Sequence, residues 1–188
     1  MPDFRNFDWK SPINMISVLS VIGALVYIIY PEIIIYGGMY NYPVGILGFL
    51  GELLLYSFLH GWILHVLSNV LFFVTIGRAI EIGHGREWTW YLWIWTTVFV
   101  GIFLYLFSDS PTIGWSGFAM SILAVYAYNL YQHKHSDYKW AILLMIINLV
   151  LGFGATVSFM GHFAGALAGY LYVWYRNKHP HIHLPRFK

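Results

Sequence analysis

The chain has 188 residues, of which 59% are hydrophobic and only 10% are charged. Soluble domains carry about 25% charged residues, so this composition excludes a soluble globular protein and indicates a polytopic membrane protein of one domain. The absence of cysteine excludes disulfides and thiolate metal sites, and the net charge of +2 is too small to indicate a nucleic-acid partner.

The long uncharged stretches predict the membrane helices. Residues 13–30 are apolar, exceed the length of a signal-peptide core and lack a small-residue cleavage site, so a retained first span is expected. Residues 31–57 are apolar but rich in Gly and Pro, which favours an interfacial loop with short amphipathic helices. Further spans are predicted at 58–78, 88–107, 116–132, 140–153 and 161–176.

Charged residues divide the chain into two sides. Six spans with a cytoplasmic N-terminus place every Lys and Arg on the inner side, in the segments 1–12, 78–87, 133–139 and 176–188. The outer loops hold only Glu32, Glu52 and Asp109. The positive-inside rule therefore predicts a multi-pass protein with both termini in the cytoplasm. No internal repeat is seen, which disfavours an inverted-repeat transporter.

Four polar residues inside the predicted spans are candidates for function, because polar side chains within a membrane usually mark functional sites. They are His65, Asn69, Ser116 and His162. The second, fourth and sixth spans run in the same direction, so all four residues are expected at one depth below the outer surface. Their spacing puts His65 and Asn69 on one helix face.

The sequence Gly114-Trp115-Ser116-Gly117 opens the fourth span and offers a nucleophile beside free helix N–H donors. A serine hydroxyl needs an adjacent base, and His162 is the candidate. Gly165 and Gly169 share the face of His162 and would let the two helices approach closely. No acidic residue lies at this depth, so a Ser–His dyad is predicted rather than a triad.

The remaining polar residues leave alternatives open. His65 and Asn69, with the Ser116 amide, would stabilise an oxyanion, or the two side chains form an interhelical hydrogen-bonding pair. His60 is expected to bind loop backbone. A metal site at His60, His65 and His162 is disfavoured because no carboxylate or thiolate joins them and no HExxH is present. For the tail histidines, His179, His181 and His183, a solvated tail is favoured over metal binding.

These residues together resemble the rhomboid intramembrane serine proteases, most closely the bacterial GlpG type. The resemblance is carried by His65-x-x-x-Asn69, by Gly114–Gly117, and by His162 followed by Gly165 and Gly169. Glu81, twelve residues after Asn69 and followed by Gly85, also resembles the family's charged loop. The resemblance covers nearly the whole chain.

The resemblance implies an all-α fold, a six-helix rhomboid bundle with an interfacial first loop and a cap at 153–160. It implies Ser116 as nucleophile, His162 as general base, and His65, Asn69 and the Ser116 amide as the oxyanion site. No cofactor or metal is implied. The chain departs from the family at three places. Gly51-Glu52 stands in place of a Trp-Arg pair, and Gly83 stands in place of an arginine. Met120 stands in place of the tyrosine that stacks on the catalytic histidine.

The function expected from residues and resemblance is an intramembrane serine endopeptidase in the bacterial inner membrane. It would cleave single-span membrane proteins at or near the outer end of their helix. The chain looks like a catalytic core without the soluble N-terminal domain of longer relatives. One alternative is a weak or inactive rhomboid-like protein that binds transmembrane helices. A small transporter with a histidine proton path is disfavoured because the spans hold no carboxylates.

Overall fold

A computed structural model of the chain describes residues 8–42, 45–153 and 158–178, and all named elements in these ranges are helices. They are α1 Pro12–Ile29, α2 Ile33–Gly37, α3 Gly45–Leu55, α4 Ile63–Phe72, α5 Arg78–His84, α6 Arg86–Phe107, α7 Ser116–Gln132, α8 Tyr138–Leu151 and α9 Phe159–Lys178. A π-helical segment, Phe73–Gly77, joins α4 to α5. The predicted all-helical class is confirmed.

Within the described residues, three helices are by length and composition able to cross a membrane: Pro12–Ile29, Ile63–His84 and Arg86–Phe107. The helix α8 is apolar but shorter. The 17-residue helix α7 lies among the others and buries nine of its residues. A helix surrounded by protein need not present an apolar surface to lipid, which explains why its composition is less extreme.

The helices in the region of the second predicted span begin and end at other residues than the hydrophobic run does. Residues 58–62 are not helical, and the Phe58 carbonyl lies against α1: a Cβ added to Gly23 would be 2.0 Å from that oxygen. At the other end, the predicted charged loop at 78–87 is wrong. This segment is helical on both sides of Gly85, whose φ of +96° lies in the left-handed region that favours glycine.

Partners from the start of the chain explain why the charged segment is helical. Glu81 is only 2% exposed. Its Oε2 accepts hydrogen bonds from Ser11 Oγ at 2.6 Å and from the Ile13 amide at 3.2 Å, while Oε1 is paired with Arg78. The pairing lets the carboxylate be buried within a helix bundle. Ser11 Oγ in turn accepts from the Asn14 amide, so the first-turn donors of α1 are satisfied.

Glycines bring α7 and α9 into backbone contact. A Cβ at Gly165 would lie 2.0 Å from the Gly117 carbonyl oxygen, and one at Gly169 would lie 2.3 Å from the Ser121 carbonyl oxygen. No other residue type fits at these positions without moving a helix. Because His162 lies one turn before Gly165, this contact sets the distance of the histidine from the start of α7.

The first loop is held against the segment that precedes α7. Met39 and Thr112 form a two-way backbone bridge, with both N–O distances at 3.0 Å. The Gly114 amide donates to the Tyr56 carbonyl at 2.8 Å, and the Tyr56 hydroxyl donates to the Thr97 carbonyl of α6. The short helices predicted for residues 31–57 are present as α2 and α3. Pro43 and residues 154–157, part of the predicted cap, lie outside the described residues.

Candidate active site

Ser116 is the first residue of α7, and its position depends on the two residues before it. Gly114 has a φ of +114°, a conformation that favours glycine, and a Cβ there would be 3.0 Å from His65 Cε1 and would crowd that ring. Trp115 is 1% exposed and packs in a cluster of aromatic rings with Phe58 and Phe73. The indole is therefore an anchor that fixes where the serine begins the helix.

His162 lies in the first turn of α9 and is 4% exposed. Its Nδ1 is 3.0 Å from the main-chain carbonyl oxygen of Asn148 in α8. A carbonyl can only accept, so Nδ1 carries the proton and Nε2 has the free lone pair. Among the described residues Nε2 has no hydrogen-bond partner, Ser116 Oγ included. Catalytic hydrogen bonds are often long without substrate and tighten when it binds.

Ser116 and His162 line one cavity of about 430 Å³. Its other polar members include His65, Ser68 and Asn69 from α4 and Asn148 from α8. The remaining wall is mostly apolar and is formed by Trp62, Leu64, Phe72, Ala119, Met120, Leu123, Leu144 and Leu151. All four residues predicted from the sequence therefore meet at one place, between α4, α7, α8 and α9.

A second cavity of about 340 Å³ adjoins the first and shares Trp62, His65 and Ser116 with it. It is more polar, with Ser110, Thr112 and Ser158 in its wall. Ser116 thus borders both a mostly apolar cavity and a more polar one.

His60 makes contacts that the sequence did not indicate. It is fully buried, and its Nε2 accepts from the Asn69 side-chain amide at 3.1 Å and from the Trp115 main-chain amide at 3.4 Å. Its Nδ1 lies 3.1 Å from the Phe58 carbonyl and donates to it. Burial, and secondarily His65, lower the pKa of His60 to about 4, while the Phe58 carbonyl acts in the opposite direction.

His60 is consequently neutral, and its hydrogen bonds link the loop at Phe58 to α4 and to the segment that leads into Ser116. The loop-backbone bond expected for His60 is present, but the ring also reaches Asn69 and Trp115. Because Asn69 already uses one amide hydrogen on His60, the second remains for a ligand. The Trp115 amide is occupied, which leaves the Ser116 amide as the main-chain donor nearest the nucleophile.

Two residues that depart from the family pattern, Met120 and Glu52, are buried. Met120 is 3% exposed, lines the cavity with His162 and packs on Leu123. Glu52 is 2% exposed, its Oε2 has no hydrogen-bond partner among the described residues, and burial raises its pKa. A Cβ at Gly51 would meet nothing within 4 Å.

No group of three or more His, Asp or Glu side chains in the described part of the chain is arranged to hold a metal ion. The tail histidines at 179, 181 and 183 lie outside the described residues.

The fold and the cavity indicate a class: an all-helical membrane protein that holds a serine and a histidine in a shared cavity between its helices. The rhomboid domain model matches residues 47–179, most of the chain, so the protein belongs to the rhomboid family. Members of this family are generally intramembrane serine proteases. No curated protein matches the chain.

Proposed function

We propose that the protein is an intramembrane serine endopeptidase with a Ser116–His162 dyad. The observation that carries this proposal is the shared cavity, which is lined by a serine at a helix N-terminus and by a histidine whose Nδ1 donates its proton to a carbonyl. This arrangement supplies a nucleophile, a base with the lone pair on the correct nitrogen, and helix N–H donors.

The reaction follows from these atoms. His162 Nε2 takes the proton of Ser116 Oγ as the oxygen attacks the carbonyl carbon of the peptide bond. The resulting oxyanion is stabilised by the Ser116 amide with the side chains of His65 and Asn69. The tetrahedral intermediate expels the amine, which takes the proton from Nε2. Water then attacks the acyl-serine by the same steps, releases the acid and regenerates the hydroxyl.

The substrate class follows from the position of the cavity. Ser116 and His162 lie near the start of their helices, and the six-span topology predicted from the charge distribution would put these ends at the outer face. The substrate is therefore a single-span membrane protein cut at or near the outer end of its helix. The protein lies in the bacterial inner membrane with both termini in the cytoplasm. The chemistry needs no cofactor.

A second candidate is a rhomboid-like protein that binds transmembrane helices with little or no catalysis. Two observations favour it: Nε2 of His162 is not hydrogen-bonded to Ser116, and Met120 stands where the family pattern has a stacking tyrosine. Cleavage and labelling assays separate the two candidates.

The test is incubation of the purified protein in detergent with a single-span substrate, beside Ser116→Ala and His162→Ala. We expect no detectable cleavage by Ser116→Ala and a loss of about 10²–10⁴-fold in His162→Ala. Ser68→Ala is the matched control, because Ser68 lines the same cavity but donates its hydroxyl hydrogen to the His65 carbonyl.

A fluorophosphonate probe gives a second measurement that needs no substrate. It should label the wild type at Ser116, should not label Ser116→Ala, and should react more slowly with His162→Ala. Equal cleavage by wild type and Ser116→Ala would remove the catalytic assignment. Absence of cleavage and labelling in the wild type would favour the helix-binding alternative.

A further inference from the structure

We infer that α8 supplies the positioning group for the base, with the main-chain carbonyl of Asn148 in the place that a carboxylate takes in a catalytic triad. The inference rests on the proposed function for its catalytic meaning. Its structural content, which ring nitrogen of His162 carries the proton and what holds it, is measurable without catalysis.

The first argument is the state of the carbonyl itself. Asn148 lies in the last turn of α8, where carbonyls lack a full set of helix partners. The Gly152 amide is its helix donor at 3.1 Å, but this N–H is shared with the Leu149 carbonyl at the same distance. One lone pair of the Asn148 oxygen is thus weakly used and the other is available to His162 Nδ1 at 3.0 Å.

The second argument is electrostatic. The C-terminal end of a helix carries partial negative charge and favours a cation beside it. His162 becomes a cation when it takes the proton of Ser116, and the last turn of α8 is then the group it touches. A carbonyl does not accept a proton at neutral pH, so the charge stays on the imidazole, as in a triad.

The third argument is that the junction between α8 and α9 fixes this contact. The Phe159 amide donates to the Gly152 carbonyl at 2.9 Å. A Cβ at Gly152 would lie 2.7 Å from Phe159 Cα, so the two helix ends are in backbone contact. The Asn148 side chain bonds the Leu144 carbonyl at 2.8 Å, which leaves the main chain, not the amide group, to hold the histidine.

The consequence is a division of roles between two helices. Contact with α7 sets how far His162 stands from Ser116, and contact with α8 sets which nitrogen faces the serine. Free imidazole is otherwise able to turn or change tautomer. His65 of α4 lines the same cavity and is a titratable neighbour of His162.

The experiment replaces Leu149 by its α-hydroxy acid, which turns the Asn148 carbonyl into an ester and so weakens it as an acceptor while keeping every side chain. Leu143→α-hydroxy acid is the matched control: it makes the same change in α8, removes one helix N–H likewise, and weakens the Ile142 carbonyl instead. Both proteins are assayed for kcat, KM and the pH–rate profile, beside wild type.

We expect the Leu149 ester to lower kcat about tenfold relative to the Leu143 ester with KM unchanged, and to move the acidic limb of the profile to lower pH. Weakening the acceptor disfavours the imidazolium, which gives this direction. Equal kinetics and equal profiles for the two esters overturn the inference.

Nitrogen NMR of ¹⁵N-histidine-labelled protein is the second measurement, with His162→Gln to assign the signal. We expect wild-type His162 to be protonated at Nδ1 and bare at Nε2, and the Leu149 ester to show increased protonation at Nε2. A wild-type proton on Nε2 overturns the inference even if the ester variants fail to fold. If wild type does not cleave, the proposed function fails, and this spectrum alone decides the positioning role.

Discussion

Replacement of Gly165 by alanine would place a methyl group inside the main chain of α7. The added Cβ would lie 2.0 Å from the Gly117 carbonyl oxygen, 2.7 Å from its carbonyl carbon and 2.8 Å from its Cα. All three atoms belong to backbone, so no side chain can turn away. Restoring a contact of 3.4 Å requires α9 to move by about 1.4 Å.

Two effects oppose each other in this variant. Alanine is favoured over glycine within a helix by about 1 kcal/mol, whereas overpacking costs about 1–3 kcal/mol and sometimes more. The contact is backbone against backbone and cannot relax locally, so overpacking should win and the melting temperature in detergent should fall. Gly51→Ala is the control, because its Cβ meets nothing within 4 Å. It should melt at or above the wild-type temperature.

Activity should fall more than stability. His162 precedes Gly165 by one turn and moves with it, and a displacement of about 1 Å costs about 10²-fold in rate. We expect kcat/KM of Gly165→Ala to drop by about that factor, with slower fluorophosphonate labelling of Ser116. Gly161→Ala on the same helix meets Ser158 Oγ at 3.4 Å and should lose much less. An unchanged melting temperature and rate in Gly165→Ala would refute the reasoning.

Two further predictions concern stability in detergent. The pKa of His60 in the folded protein is about 4, below its ordinary 6.5, so folding excludes the proton of this side chain. The contribution of neutral His60 to folding stability is therefore complete above pH 6.5. It falls by about 1.4 kcal/mol per pH unit as the pH drops towards 4. Melting curves across this pH range should show stability falling with pH, and persistence of the same fall in His60→Gln would contradict its assignment to His60. Glu81→Ala removes the partner of Ser11, Ile13 and Arg78 and should cost about 3 kcal/mol. The exposed acid in Glu87→Ala should change stability by less than about 0.5 kcal/mol, and equal melting of the two variants would argue against the buried network.

Hydrophobic runs were sufficient to predict most helices, because long uncharged stretches have few other uses. They failed where a charge is neutralised by a distant residue. Arg78 and Glu81 look like a solvated loop in sequence, but the partners of the carboxylate lie 70 and 68 residues away. No local pattern reports such a pairing. The π-helical segment Phe73–Gly77 likewise has no signal in the run that contains it.

The candidate site was predictable to the level of side chains and no further. The depth of His65, Asn69, Ser116 and His162 followed from helix direction, and the structure places them around one cavity. The main-chain groups that take part in the site could not be predicted, since nearly every residue carries the same carbonyl and amide. The Asn148 carbonyl on His162 therefore could not be read from the sequence.

The hydrogen bonding at the start of α1 depends on Glu81, which lies far along the chain. Pro12 has no amide hydrogen, the Ile13 amide is satisfied by Glu81, and the Ser11 hydroxyl that serves Asn14 is itself bound to Glu81. The first turn of α1 thus lacks part of its hydrogen bonding until the helix Ile63–His84 packs beside it. The Glu81 carboxylate, for its part, has these partners only when α1 is in place, so each of the two helices supplies the polar partners that the other needs.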